Sequence, residues 1–201
     1  MSRNPHERIQ SATARAIVAH GYAQTTIEDI CAEAQISQKA FYEHFKSKQE
    51  AAMSALETSV DQVMLELRET FNAAPTWPEA IWDTTDAVLD WMVHEPVFTR
   101  LGLVEMLVAG EAALELLQSL MDAFAMFLEP GYKLAPEQVS SKRLIDETVA
   151  NAIFGLLHKH VVREGTESIQ TLLPVIVRLA ITPFLGAEQA AAFVTQRSER
   201  G

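Results

Sequence analysis

Thr25-Thr26-Ile27-Glu28-Asp29-Ile30-Cys31-Ala32-Glu33-Ala34-Gln35-Ile36-Ser37-Gln38-Lys39-Ala40-Phe41-Tyr42-Glu43-His44-Phe45-Lys46-Ser47-Lys48 is the stretch whose reading decides the fold. Ile27, Ile30, Cys31 and Ala34 recur at helical spacing and form the inner face of a short helix that Thr25 or Thr26 caps. Ser37 opens a second short helix, with Phe41 and Phe45 turned inward. Three or four residues join the two, with Ile36 expected to be buried in the turn. That is the spacing of a helix-turn-helix. Cys31, a small side chain on the inner face, reads as core rather than as a redox sensor.

The outer face of the second helix offers Gln38, Lys39, Tyr42 and His44, all able to meet phosphates or base edges. Ser37 leaves backbone amides at the helix start that can bind phosphate. The start of the following helix does the same, with Lys48 adding a charge. Thr26 adds a hydroxyl.

Working outward, the first helix starts at Asn4 as cap and Pro5 in the first turn, with Glu7 completing a capping-box-like pattern. Ile9, Ala12, Thr13, Ala16, Ile17 and His20 share its inner face, and Gly21 ends it as a left-handed cap. Ser47 opens a fourth helix with a capping box, Ser47-Lys48-Gln49-Glu50, and a stripe of Met53, Leu56, Val60, Val63, Leu67 and Phe71. A fifth helix from Thr76 carries Ile81, Thr85, Val88 and Met92. The expected sixth runs from Pro96 through Ala109 to Gly110. The seventh runs from Glu111 to Leu128, stopping at Glu129-Pro130-Gly131. The eighth spans Pro136 to Arg163, with Ile145, Val149, Ala152, Ile153, Leu156 and Leu157 inward, and Gly165 closes it. Pro174 starts a further helix, and a last amphipathic piece spans Ala187 to Arg197. Period-two alternation is nearly absent, and 28 Ala and 20 Leu favour helix. The fold class is all-α, with ten or eleven helices.

The 201 residues, 48% of them hydrophobic, exclude disorder and suffice for a core without disulfide or metal staples. One cysteine excludes an intramolecular disulfide framework and a Cys-rich zinc site. The polar start at residues 1–8 does not read as a signal peptide, and no run reads as a membrane span. The expectation is a soluble, cytoplasmic protein.

The spaced elements Gly21-Tyr22, Thr25-Thr26-Ile27, Ile30-Cys31 with Ala34, Ile36-Ser37, and Phe41-Tyr42-Glu43-His44-Phe45 with Lys48 resemble the amino-terminal DNA-binding domain of the TetR family of bacterial transcriptional regulators. The resemblance covers about residues 5 to 55. One departure is Gln35, where the family often has Gly in the turn; a left-handed Gln35 costs roughly 1–2 kcal/mol. The tail from Leu172-Leu173-Pro174 through Thr182-Pro183-Phe184-Leu185-Gly186 looks like an ending found in some members.

The resemblance implies a helix-turn-helix domain over residues 1–50 and a helical ligand-binding and dimerisation domain over 51–201. It implies a regulator, expected to be a repressor. A homodimer would bind a palindromic double-stranded operator and be released by a small apolar effector. Control by a protein partner without a small ligand is the alternative. A small helical enzyme is the third reading. No Gly-rich phosphate loop, metal-ligand spacing or Ser-His-Asp set supports it, so the chain is read as no enzyme, with no cofactor and no metal. Asp83, Asp86 and Asp90 with Glu79 read as a solvated helix face.

Trp82, Trp91, Phe98, Met106, Met121, Phe124 and Phe154 are candidates for an apolar lining in the second domain. Glu105 interrupts an apolar run and must be paired or protonated, either against Arg100 or another internal group, or facing the ligand. Asn151 and His158, seven apart among apolar neighbours, pose the same choice, with a dimer interface as a third. The dimer surface is expected on the eighth helix and the segment after Pro174.

The formal charge of −11 argues at first against nucleic acid. Residues 1–55, however, hold six cations and six anions, whereas residues 56–201 hold ten cations and twenty-one anions. The acidic excess therefore lies outside the reading element, and it disfavours an anionic effector. With Lys39, Lys46 and Lys48 as phosphate cations, a dimer neutralises about six phosphates, for a slope of log K against log salt near −5.

Overall fold

The computed structural model describes residues 4–135 and 141–199. Among them every regular element is a helix. The order is α1 Pro5–His20, α2 Ile27–Ala34, α3 Gln38–Tyr42, α4 Lys48–Ala73, α5 Trp77–His94, α6 Pro96–Leu103, α7 Glu111–Ala125, α8 Lys142–Glu164, α9 Leu173–Leu185 and α10 Ala187–Ser198. Short 3-10 turns occupy Glu105–Val108, Met126–Lys133 and Ile169–Leu172. No helix among the described residues is long and apolar enough to cross a membrane.

The chain forms two compact units. One takes the chain up to Gln62 together with Glu95–Gln118; the other takes Val63–His94 and the chain from Ser119 on. In the first, Ile9 and Ala16 of α1, Ile30 and Cys31 of α2, Phe41 of α3, Phe45 after it and Ala51 of α4 form one apolar cluster, with Ile27 and Ile36 packed on its edge. Phe41 has no exposed surface, and burying such a side chain contributes about 1.5–3 kcal/mol. Polar links tie the helices together. Gln10 donates from Nε2 to Ser54 O at 3.0 Å and to Thr58 Oγ1 at 2.9 Å on α4. The Arg8 guanidinium donates to Ala34 O at 2.8 Å, closing the end of α2. Gly102 allows α6 to approach α4, since a Cβ there would stand 3.1 Å from Leu56 Cδ1.

In the second unit the Trp77 indole donates to Phe127 O at 2.9 Å and meets the Phe184 ring edge-on at 5.0 Å. Gly131 is required at this point, because a Cβ would sit 2.5 Å from the Trp77 ring. Leu67 of α4, Leu89 of α5 and Ile169, Val177 and Ile181 are fully enclosed.

Several expectations are corrected. Gly21 ends α1 at φ 82 and ψ 148, a positive φ but not left-handed helix, and His20 is exposed because α1 ends there. Asn4 caps α1 through the His6 amide, with no bond from Glu7. Ile36 is half-buried at the rim of its cluster. Ser47 Oγ does accept the Glu50 amide, but the Glu50 carboxylate reaches the amide of Lys46 rather than that of Ser47. The expected sixth helix breaks at Val104 (φ −124), dividing it into α6 and a 3-10 turn. Pro130 and Gly131 do not stop the chain after α7; a 3-10 turn carries them on to Lys133. Pro136 lies outside the described residues, and α8 is described from Lys142. Ala152 on α8 is exposed. Pro174 does sit in the first turn of α9, and Gly165 does end α8.

Candidate nucleic-acid interface

The turn between α2 and α3 is closed by two crossed backbone bonds. The Ile36 amide donates to Cys31 O at 3.0 Å and the Gln35 amide to Ala32 O at 3.2 Å, the crossed pair of a Schellman ending. That geometry needs a left-handed residue, and Gln35 supplies it at φ 54, ψ 50. The strain expected of a non-glycine residue is therefore present. Ile36, the next residue, lands against the cluster and helps hold it.

At the other end of α2, Thr26 and Asp29 form a reciprocal capping box. The Asp29 amide donates to Thr26 Oγ1, while the Thr26 amide and hydroxyl both donate to Asp29 Oδ2 at 2.8 and 2.7 Å. These bonds, the backbone one first, hold the Asp29 carboxyl below its ordinary range. They also commit the Thr26 hydroxyl proton inside the protein, so Thr26 is a cap before it is a phosphate donor. Ser37 is different. Its oxygen accepts the Ala40 amide at 3.2 Å, a bond that does not use its own O–H.

Along α3, Phe41 is fully enclosed, while Gln38, Lys39 and Tyr42 are exposed; His44, expected on the same helix, is exposed in the turn that follows, because α3 ends at Tyr42. Tyr42, 55% exposed, rests edge-on against the Phe41 ring at 5.5 Å, which fixes its direction. Gln38 donates from Nε2 to Glu28 Oε1 at 2.6 Å across the turn. The His6 ring stands 5.9 Å from that of His44 and 4.5 Å from that of Phe45, centre to centre. Glu28 and His6 were not singled out from sequence. Their partners are ten or more residues away, and no periodic signal links them.

Lys48 does not behave as the others do. Its ammonium donates to Tyr22 O and, at 2.7 Å, to Thr25 O, and it lies 4.4 Å from the centre of the Tyr22 ring. Burial lowers its pKa from the ordinary lysine value.

The candidates for an effector lining fall in both units. Phe98, Glu105 and Met106 belong to the first, where Met106 is fully enclosed. Glu105, also buried, resolves to internal pairing: its Oε2 accepts the Tyr22 amide at 3.0 Å and its Oε1 stands 3.6 Å from Arg100 Nε. Trp82, Trp91, Met121, Phe124, Asn151, Phe154 and His158 belong to the second. Trp82 is buried and meets Phe193 edge-on at 6.4 Å. Trp91, Met121, Phe124, Phe154 and His158 are half-buried. Asn151 is exposed, and its amide bonds back to Glu147 O of its own helix at 2.7 Å. Among the described residues no group of three or more His, Cys, Asp or Glu stands ready to hold a metal ion.

The family model of bacterial regulatory proteins of the tetR family matches residues 9–50. Residues 9–50 carry the TetR-family amino-terminal domain. Residues 9–50 take in α1 to α3 and the opening of α4, the elements that shape the exposed face of α3. The chain is also 40% identical over 62 residues to YerO, an HTH-type transcriptional regulator of Bacillus subtilis (strain 168), a match covering 31% of this chain and 22% of that one. It is 30% identical over 93 residues to an HTH-type regulator from the lacX 3' region of Lactococcus lactis subsp. lactis, covering 46% of each. The matched stretches span less than half the length of both relatives. A solved structure of the regulator FadR from Bacillus subtilis, in complex with stearoyl-CoA, superimposes with a TM-score of 0.76 at 14% identity, covering 88% of this chain and 97% of that one. At that identity the likeness is one of fold.

Proposed function

We propose that this chain is a TetR-family repressor that binds a palindromic operator as a homodimer and leaves it when a small apolar effector binds. The observation that carries the reading is the outer face of α3. Lys39 and Tyr42 stand exposed on a helix anchored from beneath by Phe41, with Ser37 at its start and His44 exposed in the turn after it. Such a helix suits the major groove, with cations and hydroxyls on phosphates and Gln38 or Lys39 on base edges. A two-fold dimer sets its two α3 helices about 34–36 Å apart, or a multiple of that.

Exposed apolar side chains support pairing between copies. Leu144 and Val162 on α8 and Val175 and Leu179 on α9 all lie open. Ala152 and Gly155 share the α8 face with Leu144 and Val162, and a Cβ at Gly155 would meet nothing within 4 Å. Small residues between larger apolar ones let a second helix come close.

The half-buried Trp91, Met121, Phe124 and Phe154 with buried Trp82 support an apolar effector in the second unit. Release requires that the effector prefer the conformation that DNA does not. The stearoyl-CoA held by the FadR relative makes long acyl chains the first probe. The test is selection of bound duplexes from a random library by the full chain, followed by titration with neutral apolar compounds and acyl chains. A palindromic motif released by one of these supports the reading. Enrichment of no motif ends it, and a motif that only a protein releases replaces the effector by a partner.

A further inference from the structure

From the geometry we infer that Lys48 and Glu105 are positioning residues for DNA binding, acting through the α1–α2 loop rather than on DNA or on a ligand. The inference rests on the DNA-binding reading above. The loop from Gly21 to Thr25 leads directly into Thr26, the cap of α2, and so sets where α2 and α3 point. Opposite charges hold it through one residue. The Glu105 carboxylate takes the Tyr22 amide, and the Lys48 ammonium takes the Tyr22 carbonyl. Lys48 also takes the Thr25 carbonyl, at 2.7 Å, at the last residue before the cap. The loop is closed on itself as well, by the Thr25 amide and hydroxyl donating to Gly21 O at 3.1 and 2.8 Å.

Two further observations favour a clamp over a chance contact. Lys48 is the first residue of α4, where the helix dipole disfavours a cation. Two loop carbonyls and the Tyr22 ring give that charge a reason to be there. Glu105 is buried at the break after α6, and a buried carboxylate needs partners. It has the Tyr22 amide on one oxygen and Arg100 near the other. In the same unit Gln49, beside Lys48, donates to Ala109 O at 2.7 Å, so the start of α4 is fixed to the segment that carries Glu105. With two of its three hydrogens on the loop, Lys48 leaves Lys39 and Lys46 as the phosphate cations. A dimer then neutralises about four phosphates, with a salt slope of about −3.6.

The test measures full-length Lys48→Met, Glu105→Gln and Glu105→Ala on operator and on unrelated DNA across salt, with hydrogen exchange at the Tyr22 amide. Lys48→Met should weaken operator binding about tenfold or more with the slope unchanged. Loss of about 1.8 from the slope makes Lys48 a phosphate contact and overturns its role here. Glu105→Ala should speed Tyr22 exchange and lower the operator preference over unrelated DNA about tenfold. Glu105→Gln, which keeps an acceptor, should restore most of both. A destabilised but otherwise normal chain would lose affinity for both DNAs alike, and that result overturns the positioning role. So does Glu105→Ala with wild-type preference. A wild type that binds no DNA removes the underlying reading and the positioning role with it. Exchange at Tyr22 still reports separately whether the clamp forms.

Discussion

Helices α3 and α8 both leave a face uncovered, with opposite chemistry. The open face of α3 carries Gln38, Lys39 and Tyr42 over the enclosed Phe41, with His44 just beyond its end. The open face of α8 carries Leu144, Ala152, Gly155 and Val162, with the polar Thr148, Asn151 and Lys159 among them. A polar face keeps its water until a charged, hydrated surface replaces it, which suits phosphate and base edges. An apolar face gains by losing water altogether, which suits another apolar helix. Five residues suffice for α3, since its direction is fixed by one aromatic ring and one turn. The 23 residues of α8 present apolar side chains on more than one side, so its own unit covers only part of them.

Variants that disturb one face and spare the other sharpen the contrast, and the largest effect belongs beneath α3. Phe41→Ala removes a fully enclosed ring and should cost about 3–5 kcal/mol in chemical denaturation, with operator binding lost alongside. On the opposite surface, Val162→Glu sets a charge in the exposed apolar face of α8 without touching the interior. Sedimentation at micromolar protein should show a monomer with unchanged helix content; a monomeric wild type would remove the α8 side of the comparison. Lys39→Ala should lower the salt slope by about 1.8 in the dimer and leave denaturation unchanged. Gln35→Gly relieves the left-handed strain in the turn and should raise stability by roughly 1 kcal/mol, with no change in which operator is chosen.

The smallest effect is one of pH. Thr26 holds the Asp29 carboxyl below its unfolded value. A depressed folded pKa contributes stability above the unfolded pKa, and that share fades as pH falls through the folded one. Melting temperature should therefore drop below about pH 4, and drop less in Asp29→Asn. Equal slopes in the two proteins would show that the cap works through hydrogen bonds independent of charge.

Much of α1 to α4 was legible because its signals are local. Asn4, Pro5, Thr26, Ser37 and Ser47 mark helix starts within a few residues of the bonds they make. Phe41 and Phe45 fall inward by period alone. Other local signals were displaced. Glu50 turned to the Lys46 amide instead of that of Ser47, one residue away, and Pro130 and Gly131 continued a helical turn, with Trp77 so close that only Gly fits at 131. Gln10 carried no warning that it would be buried, since its acceptors Ser54 and Thr58 lie some forty residues on.

The candidate site divides the same way. The outward set on α3 could be read from spacing within one short helix. Lys48 and Glu105 could be noticed, as a cation at a helix start and a carboxylate in an apolar run, but neither could be assigned. The sequence by itself determined the all-α class, the helix-turn-helix, Gln35 as the place where a left-handed turn would carry strain, and the separation of a neutral 1–55 from an acidic 56–201. All of these depend on neighbours a few residues apart or on composition. Only the tertiary structure decided that Glu105 meets Tyr22, that Lys48 faces the loop, and that Gln38 meets Glu28. A charged group takes the partner that burial and chain geometry bring within about 3 Å, and for these residues that partner lies elsewhere in the chain.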